Sequence, residues 1–165
     1  MKRLIIILIM IAIFVPVGNE VYSKDKTAPG FALFNMDGKL IRLSSLLAKG
    51  PIILDFWASY CKPCIREMPQ LIEMEKRYKR KKNVRLVLIN IDKEGKKKAS
   101  QILKKLKIKN ECLLDIYQMT IKKYSPTLKV PAVFLIDRKG RITFQAIGES
   151  KEVLNGLERA IVRLN

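Results

Sequence analysis

The run PIILDFWA, residues 51–58, constrains the fold of this chain more than any other stretch of its sequence. A strand with one face in water alternates between apolar and polar residues, whereas this run is apolar at nearly every position. Such a continuous run is typical of a strand in the middle of a sheet that is covered on both faces. The run therefore predicts a central sheet packed between two layers.

The segments after this strand alternate between helical and extended patterns. Apolar residues recur at helical spacing up to about residue 82, residues 84–92 predict a second buried strand, and residues 99–106 place apolar side chains on one face of a helix. Residues 112–124 predict a short extended piece followed by a helix. Because helices separate these strands, we expect parallel pairing with right-handed crossovers.

Two hairpins and a last helix complete the predicted α/β fold. FALFNMDGKLIRL, residues 31–43, contains an Asp-Gly turn between two apolar arms, and residues 24–30 before it predict an exposed lead-in. PAVFLID and RITFQAIG, within residues 131–148, flank a second turn, and this hairpin predicts an antiparallel edge of the sheet. By sequence alone Pro131 starts an edge strand. Ser150 is a suitable N-cap for the closing helix.

Residues 1–23 differ from the rest of the chain. Two basic residues precede LIIILIMIAIFV, which a proline interrupts and small or polar residues follow. This order is typical of a secretory signal peptide, and the apolar run is shorter than the roughly 20 residues that a membrane span requires. A retained membrane anchor is the alternative. In both cases we expect one domain, residues 24–165, to be exported to the periplasm or to the outer face of the cytoplasmic membrane.

The chain carries a formal net charge of +18, from 33 lysines and arginines against 15 acidic residues. In a cytoplasmic protein this excess would predict nucleic-acid binding, an explanation that export disfavours. A basic surface can instead hold a domain near anionic lipid headgroups or steer acidic partners towards it. The alternative is lysine-rich usage on solvated helix faces. We expect a monomer that binds no nucleic acid.

The chain has three cysteines, Cys61, Cys64 and Cys112, and no histidine. A zinc site with four Cys/His ligands therefore cannot be built within one chain, and we expect neither a metal nor a cofactor. A Cys61–Cys64 bridge would close too short a loop to stabilise the fold by much, so a purely structural disulfide is a weak explanation. Cys112 stands beside two leucines and is expected to be a buried apolar thiol; a resolving or regulatory role is the alternative.

C-x-x-C directly after a buried strand and at the start of a helix predicts a redox pair. A helix N-terminus presents free N–H groups and positive dipole potential, which favour a thiolate. We therefore expect Cys61 to be the more exposed cysteine, with a lowered pKa, and to act as the nucleophile. Cys64, one turn on, would resolve the mixed disulfide by attacking Cys61. Pro63 is compatible with the first helical turn and stiffens it.

Two acidic residues flank the cysteine pair. Asp55 lies within the apolar run, where burial would raise the pKa of its carboxyl and suit it to proton transfer near neutral pH. The alternative is an aspartate at a strand end that pairs with a lysine. Glu67 follows Cys64 by one helical turn and either tunes that cysteine or is a solvated helix residue.

The segment DFWASYCKPCIREMPQL resembles the thioredoxin superfamily, and within it the exported TlpA/ResA-like branch. The likeness extends over residues 28–142 and rests on the F-W-A, C-x-P-C and E-x-P positions. It implies a thioredoxin-like fold with an added N-terminal hairpin, and exchange with protein disulfides supported by an upstream thiol reductant. It also implies a cis peptide bond before Pro131, next to the cysteine pair. The residues that it assigns to substrate contact are Trp57, Tyr60, Pro63, Val130 and Pro131.

The resemblance further implies a reductant, often for apocytochrome c thiols during haem attachment. Tyr60 replaces the usual tryptophan of the branch, Asp55 often stands as asparagine there, and Leu128-Lys129-Val130 lacks the usual glycine before the cis-proline. A peroxiredoxin-type peroxidase is one alternative, although the threonine expected three residues before the cysteine is Ala58 here. A non-enzymatic binding module with an inert disulfide is another.

Overall fold

The computed structural model describes residues 26–164, so the signal-peptide prediction for residues 1–23 lies outside the described part of the chain. The strands are β1 (Lys26–Thr27), β2 (Ala32–Asn35), β3 (Leu40–Arg42), β4 (Ile52–Trp57), β5 (Arg85–Asn90), β6 (Glu111–Leu114), β7 (Ala132–Ile136) and β8 (Arg141–Ile147). The helices are α1 (Leu43–Leu47), α2 (Lys62–Lys82), α3 (Lys96–Lys105), α4 (Met119–Tyr124) and α5 (Lys151–Val162). Within residues 26–164, none of these helices combines the length and apolar content that a bilayer crossing demands.

β4 lies inside a sheet whose strand order is β1-β8-β7-β4-β5-β6-β2-β3. It pairs in parallel with β5 and antiparallel with β7, and all six of its residues are buried. Successive side chains of a strand point to opposite faces, so Asp55 and Trp57 share one face while Phe56 lies on the other. The ring of Phe56 packs there against Tyr124 of α4, with 5.3 Å between ring centroids. The prediction of a mixed sheet covered on both faces is confirmed.

In the hairpin of β7 and β8 only β8 lies at the antiparallel edge of the sheet, and β1 pairs with just its first two residues. β7 lies between β4 and β8, and all its residues are buried. β1 covers β8, with Lys26 opposite Ile142, so part of the predicted lead-in is itself a short strand. The prediction that Pro131 starts an edge strand is therefore wrong. The physical reason is that an apolar strand such as β7 requires neighbours, whereas the exposed lysine of β1 suits an edge.

The first hairpin and the ends of α2 and α5 lie where the sequence predicts them. β2 pairs with β3 and joins the sheet through β6. α2 begins after Cys61 and ends at Asn83, which adopts the left-handed conformation with φ of 52°. Ser150 caps α5 by accepting a hydrogen bond of 3.2 Å from the backbone N of Val153, as its position predicts.

Candidate active site

Cys61 and Cys64 form a disulfide at the N-terminus of α2, directly after β4. Cys61 is the N-cap residue, and its sulfur accepts a hydrogen bond of 3.2 Å from the backbone N of Cys64. Its side chain is 7% exposed, whereas Cys64 is fully buried, so the expected order of accessibility is confirmed. When the disulfide is reduced, the N–H groups of the first turn favour a thiolate on Cys61.

The loop that carries Cys61 is fixed to the neighbouring strand. Asp92 follows β5, is buried, and accepts hydrogen bonds from the backbone N of Ser59 at 2.9 Å and from its hydroxyl at 3.1 Å. Asn90 donates to the same carboxylate at 2.7 Å. The loop is held because β4 and β5 are parallel neighbours whose carboxyl ends meet. Ser59 and Asp92 were not among the predicted site residues, although an acidic residue directly after the second apolar strand is a visible signal in the sequence.

Asp55 lies in the middle of β4 and is 1% exposed. Its Oδ1 atom is buried without a hydrogen-bond partner, so the alternative of an aspartate at a strand end that pairs with a lysine does not fit. Burial raises the pKa of this carboxyl well above its ordinary value, and the negative charge of Glu67 raises it further. Asp55 therefore favours the protonated form at a pH where most aspartates are ionised.

Glu67 is also buried, with 1% of its surface exposed, and neither of its carboxyl oxygens has a hydrogen-bond partner. The alternative of a solvated helix residue is therefore wrong. Burial, together with the negative charge of Glu149, raises the pKa of Glu67 to about 7. Because the negative charge of Glu67 raises the pKa of Asp55, these two acids lie close enough to interact, and we refer to them as the carboxyl pair.

Glu149 is a half-buried residue in the loop between β8 and α5, close enough to Glu67 to raise its pKa. It forms an ion pair with Arg66 at 2.6 Å, and so holds the loop against α2 one residue before Glu67. In the same loop the backbone N of Gly148 donates to the carbonyl oxygen of Pro131 at 2.8 Å. The pair of Arg66 and Glu149 was not predicted, because nothing in the local sequence pattern brings these residues together.

The Val130–Pro131 peptide bond is cis, which confirms the expectation drawn from the family resemblance. Ala132, the next residue, lies opposite Phe56, so Pro131 is at the end of β4 that leads to Cys61. Val130 is half-buried and lines a cavity of ≈ 560 Å³ together with Lys129, Ile147 and Gly148 among others. Where the branch usually has a glycine near this point, Leu128 adopts the left-handed conformation with φ of 56°.

The remaining residues assigned to substrate contact differ in accessibility. Tyr60, next to Cys61, is 69% exposed, and Pro63 is half-buried in the first turn of α2. Trp57 is fully buried, so the prediction that it contacts substrate does not hold for this conformation. The reason is its place as the last residue of a strand covered on both faces, where its ring is part of the core.

Cys112, in β6, is 2% exposed and is not part of a disulfide. Burial raises the pKa of its thiol to about 12, so it stays protonated near neutral pH. The prediction of a buried apolar thiol is confirmed. Within residues 26–164, no group of three or more Cys, Asp or Glu side chains is arranged to hold a metal ion.

Sequence comparison relates the chain to known proteins over most of its length. The Redoxin family model matches residues 23–161. The thiol-disulfide oxidoreductase ResA of Bacillus cereus (strain ZK / E33L) is 36% identical over 132 residues, which cover 79% of this chain and 74% of that protein. ResA of Bacillus subtilis (strain 168) is 30% identical over 135 residues, which cover 82% and 73% of the two chains.

Solved structures give the same result for the fold. A thiol-disulfide oxidoreductase from Bacteroides fragilis NCTC 9343 superposes with a TM-score of 0.70 at 28% identity, over 81% of this chain and 98% of that one. StoA from Bacillus subtilis superposes with a TM-score of 0.63 at 26% identity, over 81% and 96% of the two chains. The chain therefore belongs to the redoxin family, in the TlpA/ResA-like group of the thioredoxin superfamily, and is a thiol–disulfide oxidoreductase.

Proposed function

We propose that the protein is exported and reduces disulfides in proteins of the cell envelope, among them the cysteine pair of apocytochrome c, through its Cys61–Cys64 couple. The observation that carries this proposal is the placement of a disulfide at a helix N-terminus together with two buried acids, Asp55 and Glu67, of which three carboxyl oxygens have no hydrogen-bond partner. Such carboxyls are available to exchange protons, because no hydrogen bond holds them in one protonation state.

The reaction begins with the reduced protein. The thiolate of Cys61 attacks one sulfur of the substrate disulfide, that S–S bond breaks, and the leaving substrate sulfur takes up a proton. Cys64 then loses its proton and attacks the sulfur of Cys61. The Cys61–Cys64 disulfide forms and the second substrate thiol is released. Two electrons and two protons pass to the substrate, and an upstream thiol reductant restores the dithiol.

Glu67 is the proposed proton acceptor for Cys64, since it follows that residue by one helical turn and a pKa of about 7 lets its carboxyl both accept and release a proton. Asp55, on β4, is mainly protonated and is the proposed second group through which protons are exchanged. Tyr60, Pro63, Val130 and Pro131 are the proposed contacts for the substrate backbone. Trp57 is buried in the core and can affect these contacts only through its packing.

Export rests on the composition of residues 1–23, which is that of a signal peptide or an anchor. The positive net charge of the chain supports association with an anionic membrane surface. We propose a monomer, because one chain supplies both cysteines and both acids.

The proposal is tested by separating the two half-reactions with cysteine variants. Cys61→Ser should abolish reduction of a synthetic peptide disulfide, whereas Cys64→Ser should accumulate a mixed disulfide with that peptide, visible by mass spectrometry. Cys112→Ser is the matched control and should keep the full rate, because its thiol stays protonated. If Cys64→Ser accumulates no mixed disulfide, the mechanism is wrong. If the protein consumes hydrogen peroxide as fast as it reduces the peptide, the alternative of a peroxiredoxin-type peroxidase is favoured instead.

A further inference from the structure

Exposed apolar side chains gather at the end of the sheet that carries Cys61. Tyr60 is 69% exposed, Tyr117 is 81% exposed and Met119 is 62% exposed, with Ile116 between them at 36%. Large apolar side chains at such exposure are unusual when they cluster, and a cluster indicates a surface that binds a partner. We refer to Tyr60, Ile116, Tyr117 and Met119 as the apolar platform.

The strand register places the loops that carry these residues at the same end of the sheet. Trp57, Asn90 and Leu114 lie side by side at the carboxyl ends of three adjacent parallel strands. Neighbouring strands are about 4.8 Å apart, so the loop after β4 and the loop after β6 leave the sheet about 10 Å from each other. Tyr60 and Tyr117 each follow their strand by three residues.

Hydrogen bonds hold the loop after β6 in place. The backbone N of Asp115 donates to the carbonyl oxygen of Asn90 at 2.8 Å, and the Gln118 amide donates to that of Ile91 at 3.1 Å. The carboxylate of Asp115 accepts from the backbone N atoms of Thr120 at 3.0 Å and Ile121 at 2.8 Å. An exposed aromatic ring on a loop fixed in this way loses little conformational entropy when a partner covers it.

Positive charge surrounds the apolar platform. The exposed lysines on the same three loops and on the helices that start or end beside them are Lys62, Lys93, Lys96, Lys122 and Lys123. Glu94 lies among them and pairs with Lys98 at 3.8 Å. A partner that fits this surface therefore combines apolar side chains with acidic ones.

We propose that the apolar platform selects polypeptide segments whose reacting cysteine lies among apolar and acidic residues. This inference rests on the proposed function and names its substrate class. Cys61 is only 7% exposed, so a substrate cysteine that reaches it brings the chain on either side against the adjacent surface.

The test compares three disulfides as substrates of the pre-reduced protein. Two are synthetic peptides with one internal disulfide, flanked in the first by Leu, Phe and Glu and in the second by Ser and Lys. The third is bis(2-hydroxyethyl) disulfide, which is neutral and too small to reach the platform. The variants are Tyr117→Ser and Met119→Ser, with Val162→Ser, 53% exposed on α5, as the matched control.

We expect the first peptide to react about tenfold faster than the second in kcat/KM, with a preference that falls as salt is added. Tyr117→Ser and Met119→Ser should each lower kcat/KM for the first peptide about fivefold through KM, and leave the small disulfide unchanged. Val162→Ser should match the unsubstituted protein. If the two peptides react at equal rates, the platform proposal is wrong. It is also wrong if Tyr117→Ser and Met119→Ser lower kcat/KM for the small disulfide as much as for the first peptide. In both cases the proposed reductase function still stands. If the protein reduces none of the three disulfides, both proposals fail.

Discussion

Two buried glutamates on the same helix, Glu67 and Glu75, have opposite surroundings. The carboxylate of Glu75 accepts hydrogen bonds from the backbone N of Leu86 at 3.1 Å and from the Asn110 amide at 2.6 Å. Both oxygens of Glu67 are buried with no such partner. The contrast teaches that burial alone does not mark a catalytic acid. A carboxylate with its hydrogen bonds made supports the fold, whereas one without them is free to change its protonation state.

The largest effect on stability should come from Glu75. Glu75→Ala leaves the N–H of Leu86 buried without its acceptor and removes the bond to Asn110, so we expect the free energy of unfolding to fall by about 3 kcal/mol. Urea unfolding of the oxidised protein measures this loss. The reduction potential of the disulfide should be unaffected, and a changed potential would show that Glu75 also acts on the cysteines.

Glu67→Gln should mainly affect the reaction. Without a proton acceptor near Cys64, release of the substrate from its mixed disulfide with Cys61 should slow about 100-fold. Rapid-quench analysis of a peptide mixed disulfide gives this rate, with Glu75→Gln as the matched control on the same helix. Equal rates in the two variants would remove Glu67 from the mechanism.

The pH dependence of stability sharpens the same comparison. In the folded protein the pKa of Glu67 is raised to about 7, so the native state holds a proton that the unfolded state has released above pH ~4.5. Stability is therefore greatest below that pH and falls as pH rises towards 7. From pH 5 to pH 8 the contribution of Glu67 should fall by about 2.5 kcal/mol.

Glu67→Gln should remove this contribution and so flatten the stability profile of the wild-type protein between pH 5 and pH 8. Urea unfolding of the oxidised proteins at a series of pH values measures both slopes. A Glu67→Gln profile as steep as that of wild type would mean that another group, such as Asp55, causes the whole slope.

The smallest effect is expected for Glu149, the acid whose charge acts on Glu67 of the carboxyl pair. Glu149→Gln removes a negative charge that raises the pKa of Glu67, so the pH profile of substrate release should move to lower pH by less than one unit. The matched control is Glu158→Gln, which breaks a similar ion pair between α2 and α5 at Arg77. A shift of the same size in Glu158→Gln would show that the effect comes from the change in net charge and not from the position of Glu149.

The sequence predicted those parts of the site that lie within one strand and the helix that follows it. The continuous apolar run placed β4, the C-x-x-C spacing placed the redox pair at the helix start, and the position of Asp55 within the run predicted its burial. The family resemblance added the cis bond before Pro131. These features depend on neighbours in sequence, which a single chain displays directly.

The features that sequence reasoning missed depend on distant contacts. Ser59 and Asp92 are 33 residues apart, and Arg66 and Glu149 are 83 residues apart. The burial of Trp57 agrees with its place in the apolar run, and the substrate contact that the family resemblance implied for it does not fit that place. Only the arrangement of strands decides these contacts.

The reduction potential of the Cys61–Cys64 couple tests the central claim most directly. The purified protein would be equilibrated with thiol buffers of known potential, and the dithiol fraction measured by thiol alkylation and mass spectrometry. A reductase should give a value near that of thioredoxin, roughly −270 mV. A value near about −120 mV, typical of strong disulfide donors, would contradict the account and reverse the direction of electron flow.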